Sequence, residues 1–342
     1  MTTARSIIVT GGAGFIGSHL VRCLLAEGHQ VFNIDKLTYA GNLNSLSDVA
    51  SHPGYHFLKA DIADVAAIRG AFTDFQPDWI FHLAAESHVD RSISGPMEFI
   101  QTNVTGTANL LQAALEVWQS YRGEKHSAFR FIHVSTDEVF GALGNDGTFS
   151  ETSPYQPRSP YSASKAASDH LVRAWGETYS LPFVITNCSN NYGPNQHPEK
   201  LIPVVITRAL AGLPIPVYGE GLQVRDWIHV ADHCEALIRS AADGRNHETY
   251  LIGAGNEWRN IDLVRELCGN LDLLAPRPDG SSHTQLITFV ADRPGHDFRY
   301  ALDASKLSAE TGWKPLCTAR DGFLSTVRWY VENGGWWGGA PA

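Results

Sequence analysis

The stretch SIIVTGGAGFIGSHLVRCLLAEG, residues 6–28, decides the fold. Its first five residues, Ser6–Thr10, form a largely β-branched run that predicts a short strand, and the apolar periodicity of residues 18–28 predicts a helix ended by Gly28. Four glycines lie between the strand and the helix: Gly11, Gly12, Gly14 and Gly17. The order strand, glycine turn, helix is typical of the start of a βαβ unit.

The glycines satisfy two spacings, G-x-G-x-x-G from Gly12 and G-x-x-G-x-x-G from Gly11. Such a turn lets backbone without a Cβ approach a pyrophosphate at the positive end of the helix. A glycine turn of purely structural purpose has the same spacing, so the turn alone leaves both interpretations open. A second predicted strand, QVFNID, ends at Asp35, whose carboxylate is placed to accept ribose hydroxyls and to repel a 2′-phosphate. Together the two signals favour NAD over NADP.

Strands and helices continue to alternate through the first half of the chain. We predict strands in YHFLKADI, which ends at Asp61, in DWIFHLAA and over Phe129–Ser135, with helices around Val65–Phe72 and from about Pro96 to Trp118. This alternation indicates an α/β fold with a Rossmann-type, doubly wound parallel sheet, whose ligands lie beyond the carboxyl ends of the strands. The residues predicted to contact NAD are Gly11, Gly14, Phe15, Ile16, Gly17, Asp35, Asp61, Ile62, Ala84, Ala85, Tyr161 and Lys165.

The composition of the whole chain bounds the class of protein. With 342 residues, of which 43% are hydrophobic and 18% charged, the chain has the length of about two globular domains. A net charge of −10 provides no basic face for a nucleic acid or an anionic membrane. The five cysteines are odd in number and widely spaced, and no stretch has the features of a signal peptide or a membrane span. We therefore expect a cytoplasmic protein.

Three polar residues, Thr136, Asp137 and Glu138, follow the strand predicted at Phe129–Ser135. By composition alone the acidic pair would be a solvated loop, but the carboxyl end of such a strand is also where a ligand binds. Consecutive residues of a strand point to opposite faces of the sheet. Both carboxylates can reach one ligand only if the strand ends or bends by Asp137, and we predict that it does.

The segment SPYSASKAASDHL places Tyr161 and Lys165 one turn apart at the start of a helix marked by Pro160. A tyrosine with a pKa of about 10 is a weak base at neutral pH. We expect the Lys165 ammonium and a positive nicotinamide ring to lower the pKa of Tyr161, so that it removes a hydroxyl proton while hydride passes to NAD. The Tyr-x-x-x-Lys spacing also occurs by chance on solvated helices, and the preceding Rossmann pattern favours the chemical interpretation.

These motifs resemble those of the extended short-chain dehydrogenase/reductase superfamily, whose members bind NAD tightly and act on nucleotide sugars. Within the superfamily, the chain from about Ser6 to about Trp329 is similar to the dTDP-glucose 4,6-dehydratase family. The segments that carry the resemblance are AAESHVDRSI (84–93), VSTDEVFG (134–141), NCSNNYGPNQHPEKLIP (187–203), RDWIHVADH (225–233) and RPGHDFRYALD (293–303).

The resemblance implies a lyase that acts on dTDP-glucose. Tyr161 would remove the proton of the 4-hydroxyl as hydride leaves carbon 4. The Thr136 hydroxyl beside it would form a hydrogen bond with the 4-oxygen. Glu138 would remove the acidified proton of carbon 5, while protonated Asp137 gives a proton to the departing 6-hydroxyl. Return of the hydride to carbon 6 would yield dTDP-4-keto-6-deoxyglucose. Two carboxyl groups in one low-dielectric site drive their pKa values apart, which is a physical reason for their adjacency.

From about Asn187 onward the βαβ regularity fades and Pro, Gly and Asn become frequent, which predicts a smaller, loop-rich substrate domain. We divide the chain into an NAD-binding domain, 1–186, and a nucleotide-sugar-binding domain, 187–342, with segments around 225–260 packing back on the first. DWIHVADHCEALIRSA, 226–241, is predicted as an amphipathic helix. The residues that match the substrate motifs of the family are Ser87, Asn190, Lys200, Arg225, Asn260 and Arg293. For each arginine a solvated position is a comparable interpretation, and Arg299 is equally suited to an ion pair with Asp297 or Asp303.

An NAD-dependent nucleotide-sugar 4-epimerase is the main alternative, and it needs the Tyr-Lys pair but no adjacent acid and base. A GDP-mannose dehydratase is disfavoured because Asp35 suits NAD, and a catalytically idle NAD-binding module would be free to lose Tyr161, Lys165 or the acidic pair.

No His, Cys or carboxylate grouping has metal-ligand spacing, so no metal is expected. The helical patterns Pro96–Trp118 and Tyr161–Tyr179 correspond to those of the superfamily's dimer interface, so the resemblance implies a homodimer.

Overall fold

The computed structural model describes residues 4–292 and 296–338. The strands are β1 (Ser6–Thr10), β2 (Gln30–Asp35), β3 (Tyr55–Lys59), β4 (Trp79–His82), β5 (Arg130–Thr136), β6 (Phe183–Cys188), β7 (Asn190–Tyr192), β8 (Ile215–Tyr218), β9 (Val224–His229), β10 (Glu248–Ile252), β11 (Glu257–Arg259) and β12 (Ile287–Val290). The helices are α1 (Phe15–Ala26), α2 (Val65–Phe75), α3 (Val89–Ser94), α4 (Pro96–Phe99), α5 (Thr107–Ser120), α6 (Gly123–Ala128), α7 (Pro160–Tyr179), α8 (Leu201–Leu210), α9 (Val230–Ala242), α10 (Asn260–Leu274), α11 (Ser305–Thr311), α12 (Ala319–Glu332) and α13 (Gly334–Trp337).

A parallel sheet forms the centre of the molecule. Within the described residues, seven strands pair in the order β10-β6-β5-β4-β1-β2-β3, and every pair is parallel. The chain starts in the middle of the sheet and winds outward in both directions, which confirms the predicted doubly wound α/β fold. The direction of winding reverses between β1 and β4, and in such sheets the ligand cleft lies beyond the carboxyl ends of the strands at this point.

Helices cover both faces of the sheet, which explains the nearly continuous apolar character of its strands. Ile7 and Val9 of β1 share a core with α1 and α9, whereas Ile8 shares the opposite core with α2 and α5. All three side chains are fully buried, and each such burial contributes about 1.5–3 kcal/mol. The strand that leads into the glycine turn is thus fixed from both sides.

A smaller lobe follows β6. It contains the sheet β11-β9-β7, the strand pair β12-β8, and the helices α8, α10 and α12, which pack around Tyr192 and Phe323. The chain also returns to the large sheet, because β10 pairs with β6 and α9 packs against α1. The chain after β6 therefore supplies one edge strand of the first sheet and a helix that covers it.

Several boundaries in the first sheet and its helices differ from the sequence prediction: α1 begins at Phe15 rather than Ser18, and β4 ends at His82 rather than Ala85. Strand β3 ends at Lys59 rather than Asp61, because the Asp61 carboxylate accepts a hydrogen bond from the Ala63 N–H at 2.9 Å and forms a turn. The predicted helix from Pro96 to Trp118 contains a π-helix over Ile100–Gly106.

A further difference lies in the smaller lobe. Residues 226–229, predicted as the start of a helix, belong to β9, because Trp227 and Ile228 pair with β7 and the helical pattern begins only at Val230. Tertiary strand pairing here overrides the local pattern.

Candidate active site

A cleft of about 310 Å³ lies at the carboxyl ends of β1, β2, β4 and β5, with the smaller lobe on its other side. Every residue predicted to contact the dinucleotide lines it. These residues are Gly11, Gly14, Phe15, Ile16, Gly17, Asp35, Asp61, Ile62, Ala84, Ala85, Tyr161 and Lys165. The topology therefore brings the glycine turn and the Tyr-Lys pair into one cavity.

The glycine turn leaves no room for side chains. Gly11 has φ +74°, and a Cβ on it would lie 2.7 Å from the Ala84 backbone nitrogen. A Cβ on Gly17 would lie 2.1 Å from the Gly11 carbonyl oxygen. Gly14 caps α1 without a side-chain hydrogen bond, so the first-turn amides face the cleft as an anion-binding end.

Two carboxylates stand beside the turn. Asp35 accepts hydrogen bonds from the Ala13 and Leu37 N–H groups at 3.0 and 2.8 Å, and burial raises its pKa against these bonds. Asp61 is 2.8 Å from the Lys36 ammonium. Partial burial raises the pKa of Asp61, but the hydrogen bonds from Lys36 and Ala63 outweigh the effect of burial, so the pKa is lowered overall. The turn, the unsatisfied helix end and the acidic Asp35 together fit a dinucleotide that has free ribose hydroxyls.

The acidic pair lies at the end of β5. The strand ends at Thr136, and residues Asp137–Phe140 form a turn of 3₁₀-helix that starts with the Glu138 N–H donating to the Thr136 hydroxyl at 3.3 Å. This confirms the predicted end of the strand by Asp137. Because the strand ends there, both Asp137 and Glu138 line the cleft.

Asp137 is 3% exposed, and its Oδ2 has no hydrogen-bond partner among the described residues. Burial raises the pKa of Asp137 well above its ordinary value, and the neighbouring Glu138 carboxylate raises it further. Arg225 and a bond from the Thr136 hydroxyl, at 3.2 Å from Oδ1, act in the opposite direction. Asp137 therefore has the environment of a protonated carboxylic acid.

Tyr161 and Lys165 lie on the first turns of α7. A capping box between Ser159 and Ser162, with Pro160 in the first turn, fixes the start of this helix. Both side chains are almost fully buried, and the Lys165 ammonium donates to the Val134 carbonyl at 2.9 Å.

The protein groups alone do not lower the pKa of Tyr161, which corrects our expectation for the Lys165 ammonium. Burial raises that pKa well above its ordinary value, and the Glu138 carboxylate raises it further. A hydrogen bond with Thr136 lowers it in part. The ammonium is directed to the Val134 carbonyl, and burial lowers the pKa of Lys165 itself.

Three of the predicted substrate residues line the cleft: Ser87, Asn190 and Lys200. The Lys200 ammonium donates to the Ser87 carbonyl at 3.1 Å and so joins the smaller lobe to the loop after β4. The buried Asn190 Oδ1 has no hydrogen-bond partner in the part of the chain described. These groups add polar atoms to the cleft that contains the acidic pair.

The remaining predicted substrate residues lie elsewhere. Arg225 is buried beside the cleft, donates to the Asp297 carbonyl at 2.8 Å and stacks 4.4 Å from the Tyr300 ring. Asn260 begins α10 and does not line the cleft. Arg293 lies outside the described residues. Arg299 pairs with Glu257 at 2.6 Å rather than with Asp297 or Asp303, because β11 lies beside its segment.

Lining residues that were not predicted include Cys188 at the end of β6, and Gln196, His197 and Glu199 from the smaller lobe. Glu199 is within 3.3 Å of Arg91, whose guanidinium stacks 3.6 Å from the Tyr39 ring. These contacts link helix α3 to two loops that are far apart in the chain. The segment that carries Glu199 was quoted for the resemblance, but only the fold shows which of its side chains face the cleft.

Residues 4–292 and 296–338 lack two kinds of feature, a membrane-spanning helix and a metal-binding cluster. No helix there has the length and apolar character needed to cross a membrane. The same residues contain no cluster of three or more His, Cys, Asp or Glu side chains that could hold a metal ion.

Comparisons with known proteins agree with this geometry. A family model described as GDP-mannose 4,6 dehydratase matches residues 8–326. The chain is 56% identical over 337 residues to a dTDP-glucose 4,6-dehydratase of Neisseria meningitidis serogroup B, which covers 97% of this chain and 95% of that protein. A crystal structure of a dTDP-glucose 4,6-dehydratase from Streptomyces venezuelae, with NAD and dTDP bound, matches with a TM-score of 0.88 and 45% identity, covering 97% of this chain and 98% of that chain. A Thermus thermophilus UDP-glucose 4-epimerase in complex with NAD is more distant, with a TM-score of 0.83 and 30% identity over 95% of this chain and 98% of that one.

Proposed function

The chain belongs to the dTDP-glucose 4,6-dehydratase family, and on this premise we propose that it converts dTDP-glucose to dTDP-4-keto-6-deoxyglucose with NAD as cofactor. The observation that carries the proposal is the presence of Asp137 and Glu138 in the same cleft as Tyr161 and Lys165. The 56% identity to a dTDP-glucose enzyme favours that substrate over the GDP-mannose of the family description.

NAD, when bound, supplies the hydride acceptor for carbon 4 and the hydride donor for carbon 6. We assign the pyrophosphate to the amides after Gly14 and a ribose to Asp35. Further contacts are assigned to Gly11, Phe15, Ile16, Gly17, Asp61, Ile62, Ala84 and Ala85, and to Tyr161 and Lys165.

Oxidation at carbon 4 needs a base for the 4-hydroxyl, and Tyr161 is the candidate. Because burial favours its protonated form, the phenolate depends on positive charge and hydrogen bonding beside it. Thr136 supplies the hydrogen bond, and the positive nicotinamide ring, when bound, would add to the Lys165 charge, which alone does not lower the pKa of Tyr161. Thr136 also stands next to Asp137, so the same hydroxyl lies between the oxidising and the eliminating groups.

Elimination across carbons 5 and 6 needs a base and an acid at the same pH. Asp137, held protonated by burial, gives its proton to the departing 6-hydroxyl, and Glu138 removes the proton of carbon 5. An epimerase has no step that uses this pair, so the pair supports the dehydratase over the epimerase alternative.

The nucleotide diphosphate needs cations in a chain whose net charge is −10. We assign Lys200, Arg225 and Arg293 to it, because arginine binds phosphate in a two-pronged geometry. Ser87, Asn190 and Asn260 are assigned as polar contacts of the nucleotide sugar. Residues 1–186 would then form the NAD-binding domain and residues 187–342 the nucleotide-sugar-binding domain.

We propose a homodimer that forms through α5, α7 and the helical segment before α5. Ile93, Met97 and Ile100 expose apolar side chains there, with Met97 72% exposed. An apolar surface of this kind on helices is typical of a protein interface.

We also propose a cytoplasmic location, which the absence of disulfides among the five cysteines supports.

Proton NMR of dTDP-glucose incubated with the protein tests the proposed reaction. A dehydratase produces a methyl signal from carbon 6 of the sugar, because carbon 6 loses its hydroxyl and gains a hydride. An epimerase produces a galactose-configured sugar with no methyl signal, and that result would overturn the proposal.

A further inference from the structure

We propose that Asp169 is a positioning residue of this reaction, whose buried carboxylate acts as the counter-ion of Lys165 and fixes the strand end that carries Thr136. The inference rests on the proposed function, since it concerns two residues of the proposed machinery. It adds an acidic group that does not line the cleft and that has no role among the site residues predicted above.

Asp169 and Lys165 are oppositely charged and are both buried in the protein. Asp169 follows Lys165 by one turn of α7, which puts the two side chains on the same face of the helix. Asp169 is completely buried and Lys165 is 4% exposed. A buried ammonium is strongly disfavoured unless an anion compensates it. The carbonyl of Val134 gives the ammonium a hydrogen bond but no negative charge.

Three side chains donate hydrogen bonds to the Asp169 carboxylate. Its Oδ2 accepts from the Ser135 hydroxyl at 2.9 Å, from the Tyr155 hydroxyl at 2.8 Å and from the Asn187 amide at 3.3 Å. The same Asn187 amide donates to the Thr136 carbonyl at 3.0 Å. The carboxylate therefore ties α7, which carries Tyr161 and Lys165, to the end of β5, which carries the acidic pair.

The surroundings of Asp169 and Lys165 determine the charge that each carries. Burial raises the pKa of Asp169, but His133, whose Nε2 is 3.0 Å from Oδ1, and the Lys165 charge outweigh this effect, so the net pKa is lowered. Burial lowers the pKa of Lys165, and the Asp169 charge is the largest effect that opposes this. Burial also lowers the pKa of His133 to about 4, which leaves that ring neutral.

Other groups face this pair from the neighbouring elements. They are His82 on β4, His133 on β5, Tyr155 in the loop before α7, Arg173 on α7 and Cys188 on β6. The competing assignment is Arg173, which reaches the carboxylate through the Tyr155 hydroxyl at 3.1 Å. If Asp169 served only Arg173, its role would be structural.

The pH dependence of kcat/KM for dTDP-glucose separates the two roles. Asp169→Asn keeps the shape and removes the charge, so the Lys165 ammonium loses its proton more easily and the alkaline limb moves to lower pH by about one unit or more. Tyr155→Phe removes a hydrogen bond to the same oxygen and keeps both charges, so its limb should stay at the wild-type position. An unmoved limb in Asp169→Asn, or an equal shift in Arg173→Gln, would overturn the proposal.

Thermal unfolding gives a second test that needs neither turnover nor a folded Asp169 variant. Lys165→Gln leaves the Asp169 carboxylate without its counter-ion, which raises the folded-state pKa of Asp169. The unfolded chain then binds fewer protons than the folded one above pH 4, so the Tm deficit of Lys165→Gln should widen from about pH 4 to pH 7. A constant deficit would refute the counter-ion role. If the wild type did not convert dTDP-glucose, the proposed function would fail while this readout still tested the ion pair.

Discussion

Asp137 and Glu138 are adjacent in the chain but differ in their surroundings, and the proposed chemistry depends on this difference. Asp137→Asn removes the acid for the 6-hydroxyl and should lower kcat by about 10²-fold or more. Oxidation at carbon 4 should survive, so reduced cofactor should accumulate at 340 nm in a single turnover. Asp146→Asn, at an exposed position after the same 3₁₀ turn, is the matched control. Equal loss of oxidation and elimination in Asp137→Asn would contradict the assignment.

The raised pKa of Asp137 also predicts an effect on stability. The folded state retains a proton on Asp137 that the unfolded chain releases above its ordinary carboxyl pKa, so stability from this group is lost as pH rises. Asp137→Asn removes that dependence. Its Tm should therefore exceed that of the wild type by more at pH 8 than at pH 5. A difference in Tm that does not change with pH would mean that Asp137 is ionised in the folded protein.

At the scale of single residues, the sequence predicts which side chains enter the cleft better than it predicts their protonation. The Tyr161-Lys165 spacing located both residues in the cavity. It did not predict that the ammonium binds the Val134 carbonyl or that burial dominates the pKa of Tyr161. Arg299 shows the same limit, because its partner Glu257 comes from a strand 42 residues away in the chain.

At the scale of elements, the glycine turn gives a sharp contrast between two glycines. Gly17→Ala places a Cβ 2.1 Å from a carbonyl oxygen, so we expect destabilisation of about 1–3 kcal/mol and loss of NAD binding. Gly70→Ala, within α2 and with no atom within 4 Å of the added Cβ, should stabilise the protein by about 0.5–1 kcal/mol. Chemical denaturation and NAD titration measure both. Normal NAD binding by Gly17→Ala would contradict the role of the turn.

The elements that sequence reasoning predicted well are those with strong local patterns. The bounds of β1 and β2 match the prediction, and the end of β5 was predicted from the need to bring two consecutive side chains to one ligand. The π-helix at Ile100–Gly106 was missed because helical periodicity does not show one inserted residue. It places Asn103 where its amide bonds both the Glu86 carbonyl and the Ser164 hydroxyl. That reason is tertiary and leaves no local signal.

At the scale of the whole molecule, the proposed dimer depends on the exposed apolar residues before α5. Met97→Glu should produce a monomer in sedimentation at micromolar concentration, because it would bury a charge in the interface. Leu273→Glu is a matched control, since Leu273 is also 72% exposed but lies on α10 of the smaller lobe. A wild-type monomer, or a Met97→Glu dimer, would contradict the interface.

The cleft itself is a property of the whole chain. Its walls come from loops after β1, β2, β4 and β5 and from residues 188–200, which the fold brings together. The parallel order of the sheet could be predicted, and with it the edge where the ligands lie. The position of the smaller lobe relative to the large sheet could not be predicted, because contacts such as the hydrogen bond from Lys200 to the Ser87 carbonyl join residues 113 apart in sequence.

Mass spectrometry of dTDP-glucose incubated with the protein in heavy water tests the acid–base roles of Asp137 and Glu138. We expect loss of one water and gain of one deuterium at carbon 5, because Glu138 exchanges that proton while the hydride at carbon 6 comes from carbon 4. An unchanged mass with the galactose configuration, or loss of water without deuterium at carbon 5, would contradict the acid–base roles of Asp137 and Glu138.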